Sequence, residues 1–173
     1  MKDFLQDLVA HTYSLGVIPL VKITATATET TIDGIAEDKT IVLTAKTKQP
    51  VSEFNGVFGM PNLNKLDSIL KCAEYKENAK LDAVRKEHNG EIIHTELHFE
   101  NEAGDFQNYY RLMRPEIINT KLKSVTFKGA TFDVEFEPNV ASIQRLKFQQ
   151  SVHSEESSFE ILTDNGDLIF KLS

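Results

Sequence analysis

Segments with helical and with strand-like spacing alternate along this chain in a fixed order, and that order limits the folds open to it. Phe4, Leu5, Leu8, Val9, Thr12 and Leu15 recur every three or four residues, so Lys2 to Leu15 reads as an amphipathic helix stopped by Gly16. A second helix is expected over Pro61 to Tyr75, with proline in its first turn and Leu63, Leu66, Leu70 and Ala73 as its buried stripe. A third is expected over Asn139 to His153, although Val140, Ile143, Leu146, Phe148 and Val152 spread around its wheel. Basic residues sit on these helices while the whole chain carries net charge -7.

Between the helices the spacing changes to a period of two. Leu20 to Ala27 sets Val21, Ile23 and Ala25 against Lys22, Thr24 and Thr26, and Thr30 to Ala36 and Thr40 to Lys46 continue as strands. Phe54, Gly56 and Phe58 alternate ahead of the second helix. Ala79 to Lys86, Ile92 to Glu100 and Phe106 to Met113 then follow one another across short turns, the first of them His88-Asn89-Gly90, which predicts antiparallel neighbours. Arg114-Pro115 ends this pattern. From Arg111 to Lys128 the charges are Arg111, Arg114, Lys121, Lys123 and Lys128 against Glu116 alone, in a stretch that reads as a connector. Thr131 to Phe136 is expected to resume as a strand, and Phe159 to Leu162 and Asp167 to Leu172 to pair across Asp164-Asn165-Gly166. The expected class is α+β, with a first domain over 1–114, a connector over 115–128 and a second domain over 129–173.

Few kinds of chemistry survive this reading. At 173 residues, 40% hydrophobic, the chain can bury one full core and part of a second. No apolar run approaches the roughly 18 residues that cross a bilayer, and Met1-Lys2-Asp3-Phe4 has no apolar signal core, so a cytoplasmic protein without a membrane is expected. One cysteine, Cys72, cannot form an intrachain disulfide or a multi-thiolate zinc site. No serine lies in a Gly-x-Ser-x-Gly elbow, and neither Gly56 nor Gly59 belongs to a phosphate-cradling loop. His94, Glu96 and His98 fall at alternate positions of one strand and could ligate zinc or iron, but a solvated strand face explains them more simply. The acidic balance argues against a protein that coats nucleic acid all over, because phosphate binding draws on lysine and arginine. It leaves room for a local basic face, for which Lys2, Lys65, Lys71, Arg145 and Lys147 are the candidates.

With these residues in view, the chain resembles the sliding clamps, or DNA polymerase processivity factors, of T-even-like bacteriophages. The segment Val51 to Leu70, VSEFNGVFGMPNLNKLDSIL, looks like that family's strand leading straight into the second helix of its first domain. Thr131 to Phe170 looks like the start of its second domain. The resemblance implies a DNA-clamp fold in which helices pack on one face of antiparallel sheets, and a homo-trimer that encircles double-stranded DNA. It implies non-specific backbone contact by Lys2, Lys65, Lys71, Arg145 and Lys147, because such contacts let a ring slide without reading bases. It implies that DNA polymerase and clamp loader peptides dock near Arg114 to Lys128, with Ile117, Ile118, Leu122 and Val125 as apolar candidates. Clamps have no catalytic activity, and no cofactor or metal is implied. A family subunit continues with further strands, so the second domain here is expected to lack about 50 residues of a complete one. Two other readings stand beside it. One is a small α+β binding or structural module of phage origin that does not encircle DNA, and the other is an enzyme using the His94, Glu96, His98 face.

Overall fold

A computed structural model describes residues 1–123, 129, 131–156 and 158–172. The chain divides into two compact units, 1–127 and 128–173, each described below by itself.

The first unit opens with α1 (Lys2–Ala10), which buries Leu5, Leu8 and Val9. The helix expected to run to Leu15 stops at Ala10, because the buried Thr12 hydroxyl donates to the Leu8 carbonyl at 2.7 Å and tightens the chain into a 3-10 turn, Tyr13–Leu15. Gly16, at φ 81, ends that turn, and Leu15 is exposed rather than part of the apolar stripe. Four strands follow: β1 (Val21–Ala25), β2 (Thr30–Ile35), β3 (Val42–Lys46) and β4 (Gly56–Met60), in spatial order β3-β2-β1-β4 and all antiparallel. The pairings Val21 with Gly34 and Met60, and Ile23 with Ile32 and Phe58, put one apolar set on one face.

The second helix, α2 (Leu63–Leu70), starts two residues later than its proline suggested. The Pro61 carbonyl is held by the Tyr110 hydroxyl, and Asn62, at φ 55, turns the chain into the helix from the left-handed region that asparagine tolerates. Leu63, Leu66, Ile69 and Leu70 are buried, so Ile69 takes the place expected for Ala73. A 3-10 turn over Ala73–Tyr75 leads to β5 (Lys80–His88), β6 (Glu91–Glu100) and β7 (Gln107–Arg111), in order β5-β6-β7. At the β5–β6 hairpin Asn89 and Gly90 have φ 53 and 83, as a tight two-residue turn requires.

One core serves both sheets. Leu5, Leu8 and Val9 of α1 and Leu63, Leu66 and Leu70 of α2 join Val21, Ile23, Phe58, Met60, Leu97, Phe99 and Tyr110 in a single apolar cluster. The two helices pack against each other over this face. Gly59 exchanges backbone hydrogen bonds with Met113 at 2.9 and 2.8 Å, and this bridge ties the four-stranded sheet to the three-stranded one.

The expected irregular connector is in part a third helix. In α3 (Pro115–Lys121) Pro115 occupies the first turn and Ile118 is fully buried. Strand alternation explains where it lies: Phe58 and Met60 point into the main core, so Gly59 between them faces the other way. A Cβ on Gly59 would stand 2.8 Å from Ile118 Cδ1 and 2.9 Å from Cγ1. Thus α1 and α2 share one face of the sheet while α3 is seated on the opposite face, and the expectation of all helices on one side is corrected at this point.

In the second unit α4 (Val140–Val152) is capped by Asn139, whose side chain accepts from the Ser142 amide at 2.8 Å. The hairpin β8 (Phe159–Asp164) and β9 (Asp167–Leu172) turns at Asn165 and Gly166, φ 48 and 89. Thr131 to Phe136 forms no strand. A strand exists only in a ladder, and β8 and β9 are the only paired strands among the described residues of this unit. No described side chain here is fully buried. Phe136, Ile143, Leu146, Leu168, Phe170 and Leu172 line an open cleft of about 650 Å³ beside α4.

Candidate nucleic-acid interface

Five cations stand out by their place on helices, and the structure gives them different jobs. Lys2, at the start of α1, points its ammonium at the carbonyls of Tyr75 and Lys76, the latter at 2.9 Å. It therefore caps the C-terminal end of the Ala73–Tyr75 turn, where a helix presents its negative end. Lys71, just past α2, pairs with Asp67 one turn earlier at 2.6 Å. Such an exposed pair contributes only about 0.3–0.5 kcal/mol, so the lysine can leave it for a phosphate at little cost. Lys65 is exposed on α2 and has no partner among the described residues.

The surroundings of these three lysines decide what they can attract. Asp3 and Asp7 lie exposed on α1 and Asp67 lies on α2, so the cations on these two helices meet as many carboxylates. The face offers individual lysines to a polyanion rather than a strong positive field.

On α4, in the second unit, Arg145 and Lys147 are exposed on a helix with no acidic residue. Two residues apart on a helix, they are separated by about 200° around the axis and so do not share a face. Arg145 lies along the cleft with Leu146 and Phe170, while Lys147 projects elsewhere.

The apolar residues proposed for partner docking separate as clearly. Ile118 is 0% exposed and Leu122 8%, so both anchor α3 to the sheet, whereas Ile117 is 47% exposed. A docked peptide would meet Ile117, not Ile118 or Leu122. Val125 lies outside the described residues. Around Ile117 the side chains of Arg111, Arg114, Lys121 and Lys123 are exposed with Glu116. Arg114 also lies 3.3 Å from His88 Nε2. Along the sequence these cations belong to a connector; the fold sets them on the face opposite α1 and α2, with Asp33 beside Leu122 and Lys123 and Glu96 across from Arg111.

The His94, Glu96, His98 alternation is broken by a β-bulge. Arg85 pairs with His94 and Val84 with Glu96, leaving Thr95 as an extra residue on β6. The bulge turns His94 inward, where it is 2% exposed between Phe54 and Phe58, with ring centroids at 6.3 and 5.0 Å. His98 stays outside, stacked on Tyr109 at 4.6 Å, and Glu96 lies 3.8 Å from Lys86. No cluster able to hold a metal ion forms among the described residues. Burial lowers the pKa of His94, the Asn55 carbonyl at 3.0 Å opposes that shift by favouring the charged ring, and Arg85 adds to the lowering. Burial also pushes the Tyr110 phenol upward, which keeps it a neutral donor.

Among the described residues no helix is long and apolar enough to cross a membrane. Comparison of the chain with protein-family models finds none that matches, and comparison with curated proteins finds no match.

Proposed function

We propose that this chain is a subunit of a sliding clamp, a ring that holds a DNA polymerase on duplex DNA without reading its sequence. The observation that carries the reading is the side-by-side packing of α1 and α2 across one face of two antiparallel sheets joined at Gly59 and Met113. In such a ring the outer sides of these helices meet the phosphates, with Lys65 and Lys71 as the movable contacts and one of Arg145 and Lys147, which face different ways, supplying the second unit's share. Lys2 supports α1 instead of touching DNA. Polymerase and clamp loader peptides dock on the α3 side at Ile117, and three subunits close the ring in the cytoplasm. The protein performs no catalysis and needs no cofactor.

The test is topological. A closed ring loaded by its clamp loader stays on nicked circular DNA and is lost when the circle is cut to a linear form. Equal retention on both forms rejects encirclement.

A second reading rests on the basic surface around α3. There Arg111, Arg114, Lys121 and Lys123 face Glu116, Asp33 beside Lys123 and Glu96 opposite Arg111, a small cationic excess, whereas the α1 and α2 surface is balanced. A small α+β module that binds a polyanion through that surface would ignore DNA topology and would lose affinity in the double variant Arg114→Glu, Lys121→Glu. A clamp, once loaded, would keep its retention on circles with that change.

A further inference from the structure

His94 occupies the seam between the two sheets of the first unit. Its ring belongs to β6, and its Nε2 lies 3.0 Å from the carbonyl of Asn55, at the entrance to β4. Directly before that entrance the 3-10 turn Ser52–Phe54 carries Phe54, fully buried and edge-on to Phe4 of α1 at 5.5 Å. Arg85 of β5 donates to the Glu53 carbonyl at 2.9 Å. Two side chains from one sheet thus hold two successive stretches of backbone of the other, and through Phe54 that backbone holds α1.

The other ring nitrogen, Nδ1, is buried without a hydrogen-bond partner among the described residues. A neutral ring donating from Nε2 to Asn55 leaves Nδ1 as a bare lone pair, which is tolerable in an aromatic pocket. A proton added there creates a buried N–H with no acceptor and a positive charge cut off from water. Arg85 is a like charge facing it. The other charged groups nearby are Glu53, held below the usual carboxylate range mainly by its own backbone N–H, and the amino terminus, which acts on Glu53. β4, with the sequence GVFGM, brings no charge. The face of Phe58 favours an imidazolium, but the desolvated charge and the orphaned N–H act together against it, with Arg85 adding to them.

We propose that His94 is an acid-sensitive clasp: neutral, it keeps Val51 to Gly56 seated across the seam, and protonated, it swings out and lets that segment open. Opening exposes Phe54 and loosens α1, while β1, β2 and the outer part of β6 stay paired.

Hydrogen exchange on the full chain between pH 7.5 and 5.5 tests this, with the opening constants of the amides from Phe54 to Gly56 compared with those of β2. Below about pH 6.5 the opened segment binds a proton that the closed one does not, so its opening constant should rise by up to about tenfold per pH unit. In His94→Gln, which retains an N–H for Asn55 and does not titrate, the opening constant should stay within about twofold over the same range. The wild-type His94 ring carbons, followed by NMR, should shift over the pH interval in which protection is lost. That measurement stands alone if the variant fails to fold. An equal pH response in the variant overturns the clasp. So does a rise shared equally by β2, or a His94 ring that titrates with no loss of protection.

Discussion

Gly59→Ala probes how firmly α3 is seated, and its effect can be worked out from the interatomic distances. The new methyl would stand 2.8 and 2.9 Å from Ile118 Cδ1 and Cγ1 and 3.0 Å from Met113 Cβ, all inside van der Waals contact. Ile118 cannot swing aside, because it is fully buried, and Met113 is held by its two backbone bonds to Gly59. Overpacking of this kind costs about 1–3 kcal/mol. With a urea slope near 2 kcal/mol/M, the midpoint should fall by about 0.5–1.5 M. Ile118→Ala alone should cost about 2–5 kcal/mol through the cavity it leaves. Combined, the two changes should cost less than their sum by about 1–2 kcal/mol, since the alanine methyl enters space that Ile118 has vacated. Urea denaturation followed by circular dichroism measures all four corners of the cycle. A neutral Gly59→Ala, or strictly additive costs, would mean that Ile118 does not rest on Gly59 and that the placement of α3 is wrong.

Lys2→Met should lower the urea stability of the first unit by about 1–2 kcal/mol by freeing the carbonyls of Tyr75 and Lys76, and should leave DNA retention unchanged. Lys65→Gln should reverse that pattern: stability moves by less than about 0.5 kcal/mol, while the salt dependence of DNA binding, measured by fluorescence anisotropy, falls by about 0.9 in slope because one phosphate fewer is neutralised. A reduced slope in Lys2→Met, or an unchanged one in Lys65→Gln, would refute the division of roles between them. Tyr110→Phe should cost about 1–2 kcal/mol in the same urea assay, because it removes the donor to the Pro61 carbonyl at the entrance to α2.

The elements that could be read from the sequence are those decided by local chemistry. Asn89-Gly90 and Asn165-Gly166 announced their hairpins because few other residue pairs accept positive φ at both positions. The apolar alternation of Val21, Ile23 and Ala25 named its own buried face. What stayed hidden depends on contacts remote in sequence. Seven residues of α3 carry a weak helical pattern, and they are held as a helix by Ile118 lying on a glycine of β4. The inward turn of His94 follows from one extra residue at Thr95, which no periodicity announces, since a bulge exchanges the two faces of a strand. Lys2 looked like a ligand for phosphate because nothing near it in the sequence showed that a turn around Tyr75 would take its charge. Thr131 to Phe136 has the spacing of a strand, but the ladder described in its unit is that of β8 with β9. Among the candidate DNA-facing cations, exposure of Lys65, Arg145 and Lys147 was legible, but whether a cation is already engaged was not.

The lysine tether between α1 and the Tyr75 turn also sets an order of events during translation. The two partners are 73 residues apart, so at about 5–20 residues per second α1 leaves the ribosome roughly 4–15 s before its anchor exists. A nine-residue helix is not stable alone, and for that interval Leu5, Leu8 and Val9 have nothing to cover them. Once made, α1 must therefore wait, open to chaperones, for a segment made much later.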